Sequence, residues 1–515
     1  MSIFTNSERR FLDAVSSLVY CNPFLPERIE CEKTALGSAY TDGALPWNVD
    51  PEHAELHPNV VSLMDMAETL AASVRTRLKG ESPMGTADRR RFEDLVLFLL
   101  YHRFRPRFIE VIHDMERKDP HIQHRISFYR DFVEEARRLL DLPGSAIMAE
   151  QDLPHLFACF FQIRRAFDQI FSCIIGISKA TVRLRAQVWQ SIFTHDMRRF
   201  RRILYNRMGD MTTLVTGPSG TGKELVARAI GLSRYIPFDA HNHRFTENFP
   251  GAFHPLNLSA MSPTLIESEL FGHCRGSFTG ALDDHAGWLE SCSPTGAVFL
   301  DEIGELDMSI QVKILRVLQN RTFQRIGETA TLTFKGKIIA STNRDLAADM
   351  QAGRFRVDLY YRLCSDIITT PALRDRLNDD PAELHQLTLH IVQRLLGESD
   401  TKLAHEIETW IDDHLGANYA WPGNVRELEQ CIRNVMVRGE YQPVQTTTAL
   451  AQNAREAITQ DFRDGKLSAD EMQRSYCTLV YAESGSYLET ARRLGVDRRT
   501  VRSRIDRELI DALRG

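Results

Sequence analysis

Apolar positions fall into three regimes along the chain. Up to about residue 185 they recur every three or four places, as over 92–112 and 124–140, which predicts a mostly helical first third. Polar breaks near 41–59, 80–91 and 142–145 separate its helices. From about 186 to 440, short apolar runs at 214–216, 297–300 and 337–340 read as buried strands, which predicts an α/β domain on a parallel sheet. A polar stretch around Thr446-Thr447-Thr448 reads as a linker over 441–467. Helical spacing then returns in an all-α region, 468–515. A helix is expected over 468–482, a short helix and turn over 487–496, and a last helix capped by Asp497 with Val501, Ile505 and Leu509 on its buried face.

A length of 515 residues suits about three domains, and 43% hydrophobic with 26% charged residues is ordinary for a globular chain. The net charge of −6 excludes a protein that coats nucleic acid wholesale, but not a local basic element. Nine scattered cysteines without a C-x-x-C pair argue against a zinc site and a disulfide framework, and fit a reducing compartment. The longest apolar stretches, 95–101 and 156–177, are too short or are broken by Arg164, Arg165 and Asp168, so no bilayer span is expected. The start MSIFTNSERR lacks a signal-peptide core, and the expected location is the cytoplasm.

The first third carries no catalytic motif. Arg89-Arg90-Arg91 and Arg103, Arg105 and Arg107 read as a solvated face in preference to an anion site, and His102, His121 and His124 lack metal-ligand spacing. The repeated strand-helix units of a phosphoacceptor receiver domain are missing. Residues 1–185 are therefore expected to regulate or to bind a partner.

The chemistry starts at 214–231, LVTGPSGTGKELVARAIG. An apolar strand runs into Gly217, Pro218, Ser219, Gly220, Thr221, Gly222 and Lys223 and on into helical spacing. Glycines let the backbone turn so that N–H groups and a helix N-terminus face one point, and Lys223 adds a charge for the β- and γ-phosphates. A Gly-rich turn by itself is only a turn; strand, glycines, lysine and helix in this order make a phosphate loop. Glu224 stands where the general motif has the Ser or Thr that touches magnesium, so Mg2+ must be held elsewhere. Asp301 and Glu302 close the strand 297–301 and supply that place: Asp301 for the metal and Glu302 to polarise the attacking water of ATP hydrolysis. A third strand ends in Thr342-Asn343, polar groups suited to the γ-phosphate or the water.

GPSGTGKELVARAI, ESELFGHCRGSFTGA, GAVFLDEIGELD, STNRDL, GRFRVDLYYRL and WPGNVRELEQ together resemble, in order, the motifs of the AAA+ domain of bacterial enhancer-binding proteins, the activators of sigma-54 RNA polymerase. The resemblance covers about half the chain. It implies a domain over 186–440 with a helical lid at about 372–440, and a homo-oligomeric, hexameric ring assembled from dimers. Gly276, Ser277, Phe278, Thr279, Gly280 and Ala281 are similar to the family's GAFTGA loop, which engages the sigma factor; Ser277 stands where the family usually has Ala. Read physically, flanking glycines permit a mobile hairpin with Phe278 as an exposed apolar tip. Arg356 and Arg362 match the family's arginine fingers, which reach a neighbouring subunit's nucleotide. Arg426 matches the lid residue that contacts nucleotide. Asn257 matches the polar residue that switches the catalytic glutamate, although residues 239–253 look like an insertion ahead of its strand.

The final helices and their Gly-containing turn read as a helix-turn-helix. Arg498, Arg499, Thr500, Arg502, Ser503 and Arg504 are its candidate DNA contacts, and the stretch resembles the Fis-type domain. The expected function is activation of sigma-54 transcription from upstream DNA. The alternatives are a DNA-binding regulator whose ATPase domain is only an oligomerisation switch, and an ATPase that remodels another protein.

Overall fold

The computed structural model describes residues 3–43, 57–78, 84–119, 124–142, 145–146, 148–443, 458–459, 461–463, 465, 467–506 and 509–510. Its two compact units are Met1–Glu429 and Gln430–Gly515. No helix among the described residues is long and apolar enough to cross a membrane.

The first unit opens with seven helices: α1 (Asn6–Tyr20), α2 (Glu27–Leu36), α3 (Pro58–Leu78), α4 (Thr86–Arg117), α5 (Tyr129–Leu140), α6 (Leu153–Cys173) and α7 (Lys179–Phe193). Of the arginines of α4 read as a solvated face, only Arg105 departs from it. Arg103 pairs with Glu68 and Glu135 and Arg107 with Asp131, while Arg105 turns inward and is buried. Helix α5 starts five residues later than its spacing predicts. The chain before it is extended, with Ile126 N–H donating to the His243 carbonyl at 2.7 Å and Arg125 bridged to Arg244. Helix α7 runs through residue 185, so the helical third and the α/β part share one continuous element.

The α/β part carries β1 (Thr213–Thr216), α8 (Lys223–Gly231), the hairpin strands β2 (Phe238–Asp239) and β3 (Arg244–Phe245), β4 (Phe253–Asn257), α9 (Pro263–Phe271), β5 (Ala297–Asp301), α10 (Met308–Asn320), β6 (Lys337–Thr342), α11 (Val357–Leu363) and β7 (Asp366–Thr369). Five strands pair in parallel in the order β7-β1-β6-β5-β4. The central strands β1, β6 and β5 are buried on both faces because helices cover both. Leu214, Val298, Leu300 and Ile338 pack with Ile310 and Ile314 of α10, whereas Val215, Phe299, Ile339 and Ile368 pack with Val188 and Ile192 of α7 and Val226 and Ile230 of α8. Helices α12 (Leu373–Asp379), α13 (Glu383–Leu396), α14 (Thr401–His414) and α15 (Asn424–Arg438) follow.

The insertion has a structural role. Its hairpin leaves the sheet and packs on the helical third: Phe245 stacks on Phe161 at 4.1 Å, Phe238 meets Phe157 at 4.6 Å, and the Arg165 guanidinium lies over Phe249. One hydrophobic core therefore spans the two regions.

In the second unit, Ser468 caps α16 (Ala469–Ser484) with Glu471 in a reciprocal capping box, and α17 (Tyr487–Leu494) and α18 (Arg498–Arg504) follow. Gly485 and Gly495 end the first two in left-handed backbone, φ 63° and 66°. Helix α18 is shorter than expected, so Ile505 and Leu509 lie beyond it and Val501 is its fully buried residue. The Thr478 hydroxyl of α16 accepts the Asp506 N–H at 3.1 Å, which draws the chain out of the helix. Most of the expected linker, including Thr446-Thr447-Thr448, lies outside the described residues.

Candidate active site

Strands β1, β5 and β6 end side by side, and their C-terminal ends carry the candidate chemistry. After β1 the chain turns through Gly217, Gly220 and Gly222 at φ 137°, 77° and 90°. A side chain at Gly217 would place its Cβ 2.2 Å from the Thr370 hydroxyl, and one at Gly220 would meet the Gly423 carbonyl at 2.3 Å. Gly222 caps α8, so the loop's N–H groups and the positive end of that helix converge. Lys223 is buried and its Nζ donates to the Gly217 and Pro218 carbonyls, each at 3.2 Å. Burial lowers its pKa from the ordinary lysine value, opposed by the Glu302 and Asp301 carboxylates. Glu224 is exposed and turned to solvent.

Two strands away, Asp301 accepts a hydrogen bond from the Ser341 hydroxyl of β6. Glu302 follows in left-handed backbone, φ 57° and ψ 52°, a conformation rare outside glycine and costly enough to mark a constrained position. Its carboxylate thereby faces the end of β6 and accepts the Asn343 N–H at 3.2 Å. Asn257 ends β4 directly opposite Asp301 in register, so the insertion leaves this strand end in place. Its side-chain oxygen accepts from the Ser259 N–H at 3.0 Å and the Ser259 hydroxyl at 2.8 Å. Thr342 is buried, and its hydroxyl accepts the Arg344 N–H at 3.1 Å.

The first turn of α15 reaches the phosphate loop from the other side. Asn424 donates to the Ser219 carbonyl at 2.9 Å and accepts the Leu373 N–H at 2.8 Å; Val425 N–H donates to the Gly220 carbonyl at 3.1 Å; Arg426 reaches the Ser219 hydroxyl at 3.4 Å. Thr370 holds the loop from below, sharing a hydrogen bond with the Thr221 hydroxyl at 2.7 Å and donating to the Thr216 carbonyl at 3.1 Å. Sequence reasoning missed Thr370, Ser341 and Asn424. Asn424 sat inside the WPGNVR motif and Ser341 opens the STNRDL motif, whereas nothing in the local pattern marks Thr370.

Among the described residues no hydrogen bond or ion pair joins Arg356 or Arg362 to Asp301 or Glu302. Arg356 forms a two-bonded pair with Asp358, at 2.7 and 3.0 Å, and Arg362 is exposed at the end of α11. The 276–281 loop closes on itself, with Gly276 N–H on the Ala281 carbonyl at 2.8 Å and Ala281 N–H on the Phe278 carbonyl at 3.1 Å. Phe278 is not the exposed tip expected: its ring packs edge-on against His273 at 4.9 Å, and Leu282, 78% exposed, is the open apolar residue beside it. In the second unit Arg498, Arg499, Arg502 and Ser503 are exposed on α18, while Thr500 and Arg504 are half-buried. Among the described residues no group of three or more His, Cys, Asp or Glu could hold a metal.

Residues 191–369 match the Sigma-54 interaction domain and residues 374–464 the AAA+ ATPase lid domain. The chain is 36% identical over 283 residues to the Sigma54-dependent transcriptional activator SfnR of Pseudomonas putida, covering 54% of this chain and 71% of that one. It is 37% identical over 300 residues to the transcriptional regulatory protein ZraR of Salmonella typhimurium, covering 58% and 64%. It is 42% identical over 248 residues to the Nif-specific regulatory protein of Azotobacter vinelandii, covering 48% and 44%. The match thus spans less than two thirds of the length of some of these relatives.

Proposed function

The chain belongs to the sigma-54-dependent transcriptional activators, and from that premise we propose that it hydrolyses ATP in an oligomeric ring to remodel the sigma-54 RNA polymerase closed complex. The observation that carries the reading is the meeting, at one sheet edge, of a buried lysine in a glycine turn, two carboxylates and a polar strand end. Nucleotide phosphates rest on the loop N–H groups of 217–223, with Lys223 turning from its own carbonyls to the β- and γ-phosphates. The donor set fits Mg2+: Asp301, held at one oxygen by Ser341, presents the other, and the ion would neutralise charge on the phosphates. Glu302 takes a proton from water as its oxygen attacks the γ-phosphorus; the bond to the β-γ bridging oxygen breaks, leaving ADP and phosphate. Asn343 holds the Glu302 carboxylate through its backbone N–H, and Asn257, opposite Asp301 in register, switches Glu302 between states. Arg426 follows the nucleotide from the lid.

Arg356 and Arg362 are supplied to the neighbouring subunit in a hexameric ring built from dimers, so turnover requires assembly. The 276–281 loop contacts sigma-54 through Phe278 and Thr279, which requires Phe278 to leave His273 as hydrolysis proceeds. Helices α17 and α18 form a helix-turn-helix that reads upstream DNA through Arg498, Arg499, Thr500, Arg502, Ser503 and Arg504. The protein works in the cytoplasm.

The test is a pair of variants. Glu302→Gln should keep ATP binding and lose turnover by a factor of about 10² to 10⁴. Thr279→Ala should keep turnover and lose transcription from a sigma-54 promoter. Undiminished transcription by Thr279→Ala would favour an ATPase that serves only as an oligomerisation switch.

A further inference from the structure

The helical third carries a partly open cavity of about 200 Å³ among α1 to α4, α6 and α7. Packed interiors hold few voids larger than a water molecule, and an apolar cavity of about 150 Å³ is enough to take up benzene. The walls here are mostly apolar, among them Leu63, Leu97, Phe98, Phe160 and Phe167. Trp189, on α7, also lines the cavity; it is 3% exposed, and its indole N–H meets no acceptor among the described residues. Buried indole N–H groups ordinarily find a partner.

The polar groups at the border are chiefly donors. Arg105 and Arg164 are 7% and 4% exposed, and Arg28 pairs with Glu32 at 2.5 Å. Three guanidiniums and the Glu32 carboxylate are thus among the described lining residues. Both buried arginines already have partners, and each guanidinium carries five donors, so a bound acceptor would add to a set already in use. His102 adds no charge near neutral pH, because burial and the adjacent Arg105 push it down to about 3.

We infer that this cavity binds a small, single-ring organic anion, its ring among the apolar walls and its carboxylate accepting from the Trp189 N–H beside Arg105 and Arg164. No chemistry of the nucleotide site enters this inference, which stands whether or not the chain hydrolyses ATP. The cavity is nonetheless tied to that site through α7. The hydroxyls of Ser191 on α7 and Thr213 at the root of β1 share a hydrogen bond at 3.1 Å.

The test uses the full chain and benzoate as probe, with benzene as the neutral comparator, in titration calorimetry and thermal melting. Benzoate should bind one to one and raise the melting temperature more than benzene does. Trp189→Phe, which removes the N–H and keeps an aromatic ring, should weaken benzoate about tenfold and leave ATP binding unchanged. Leu63→Phe, which fills the void without touching the indole, should abolish benzoate binding. The inference is overturned if benzoate gives no heat and no melting shift up to about 10 mM, or if benzene binds and benzoate does not. Binding that survives both substitutions would place the ligand elsewhere and overturn it equally.

Discussion

Removing the charge of Glu383 should loosen the joint between the helical third and α13. Glu383 is fully buried at the start of α13, where its carboxylate accepts from the Ile177 N–H, the Ser178 N–H at 2.8 Å and the Thr181 hydroxyl at 2.6 Å. The Arg376 guanidinium meets it at 2.6 Å. Gly176 leaves the room: a Cβ there would lie 2.1 Å from the Glu383 carboxylate. Glu383→Gln strands the Arg376 charge and, with the amide oxygen kept on the two backbone donors, turns an NH2 toward the Arg376 guanidinium, a change that costs about 3–5 kcal/mol in buried pairs. Each 1.4 kcal/mol is a factor of ten, so protection of the Ile177 and Ser178 amides in native-state hydrogen exchange should fall by about two to four orders of magnitude.

The pH dependence follows with a definite sign. Burial raises the Glu383 pKa, but Arg376 and the three donors outweigh it and hold it below the ordinary 4.5. The contribution is therefore whole above pH 4.5 and fades as pH falls through the lowered value. The Gln variant should lack that loss. If Ile177 and Ser178 stay as protected in Glu383→Gln as in the wild type, or if the wild type shows no loss in acid, this account of the joint is wrong.

Two other changes probe distant parts of the chain. Phe245→Ala removes a ring, 3% exposed, that stacks on Phe161, and should destabilise the first unit by about 3–5 kcal/mol in thermal unfolding, whereas Phe245→Leu should cost less than half as much. An equal effect of the two would mean that the hairpin does not clamp the helical third. Arg502→Ala on α18 should weaken DNA binding and lower the slope of log affinity against log salt by about 1; an unchanged slope in a filter-binding series would remove Arg502 from the interface.

Much of the geometry of the candidate site was legible in the chain because it depends on local necessity. A turn at φ 137°, 77° and 90° needs glycine, a strand buried on both faces needs an unbroken apolar run, and carboxylates beside phosphates stand at a strand end. Those demands leave residues in a fixed order, which is why 217–223 and 301–302 could be placed before the fold was known. The helical character of the first third was equally plain from its spacing.

What the order of residues did not disclose were contacts made across long separations. Thr370 braces Gly217 from over 150 residues away, and no local pattern distinguishes it from any other threonine. Residues 239–253 read only as an insertion until Phe245 and Phe249 meet Phe161 of α6, and the late start of α5 follows from the pairing of Ile126 with His243. Arg105 looks like its solvated neighbours Arg103 and Arg107 until α4 turns it inward beside a cavity. By itself the sequence determined the backbone conformations and charges that nucleotide chemistry requires, because these are properties of neighbouring residues. Only the tertiary structure decided which distant side chains brace the loop, join the helical third to the sheet and line the void beside Trp189, because burial and contact depend on how separate elements pack.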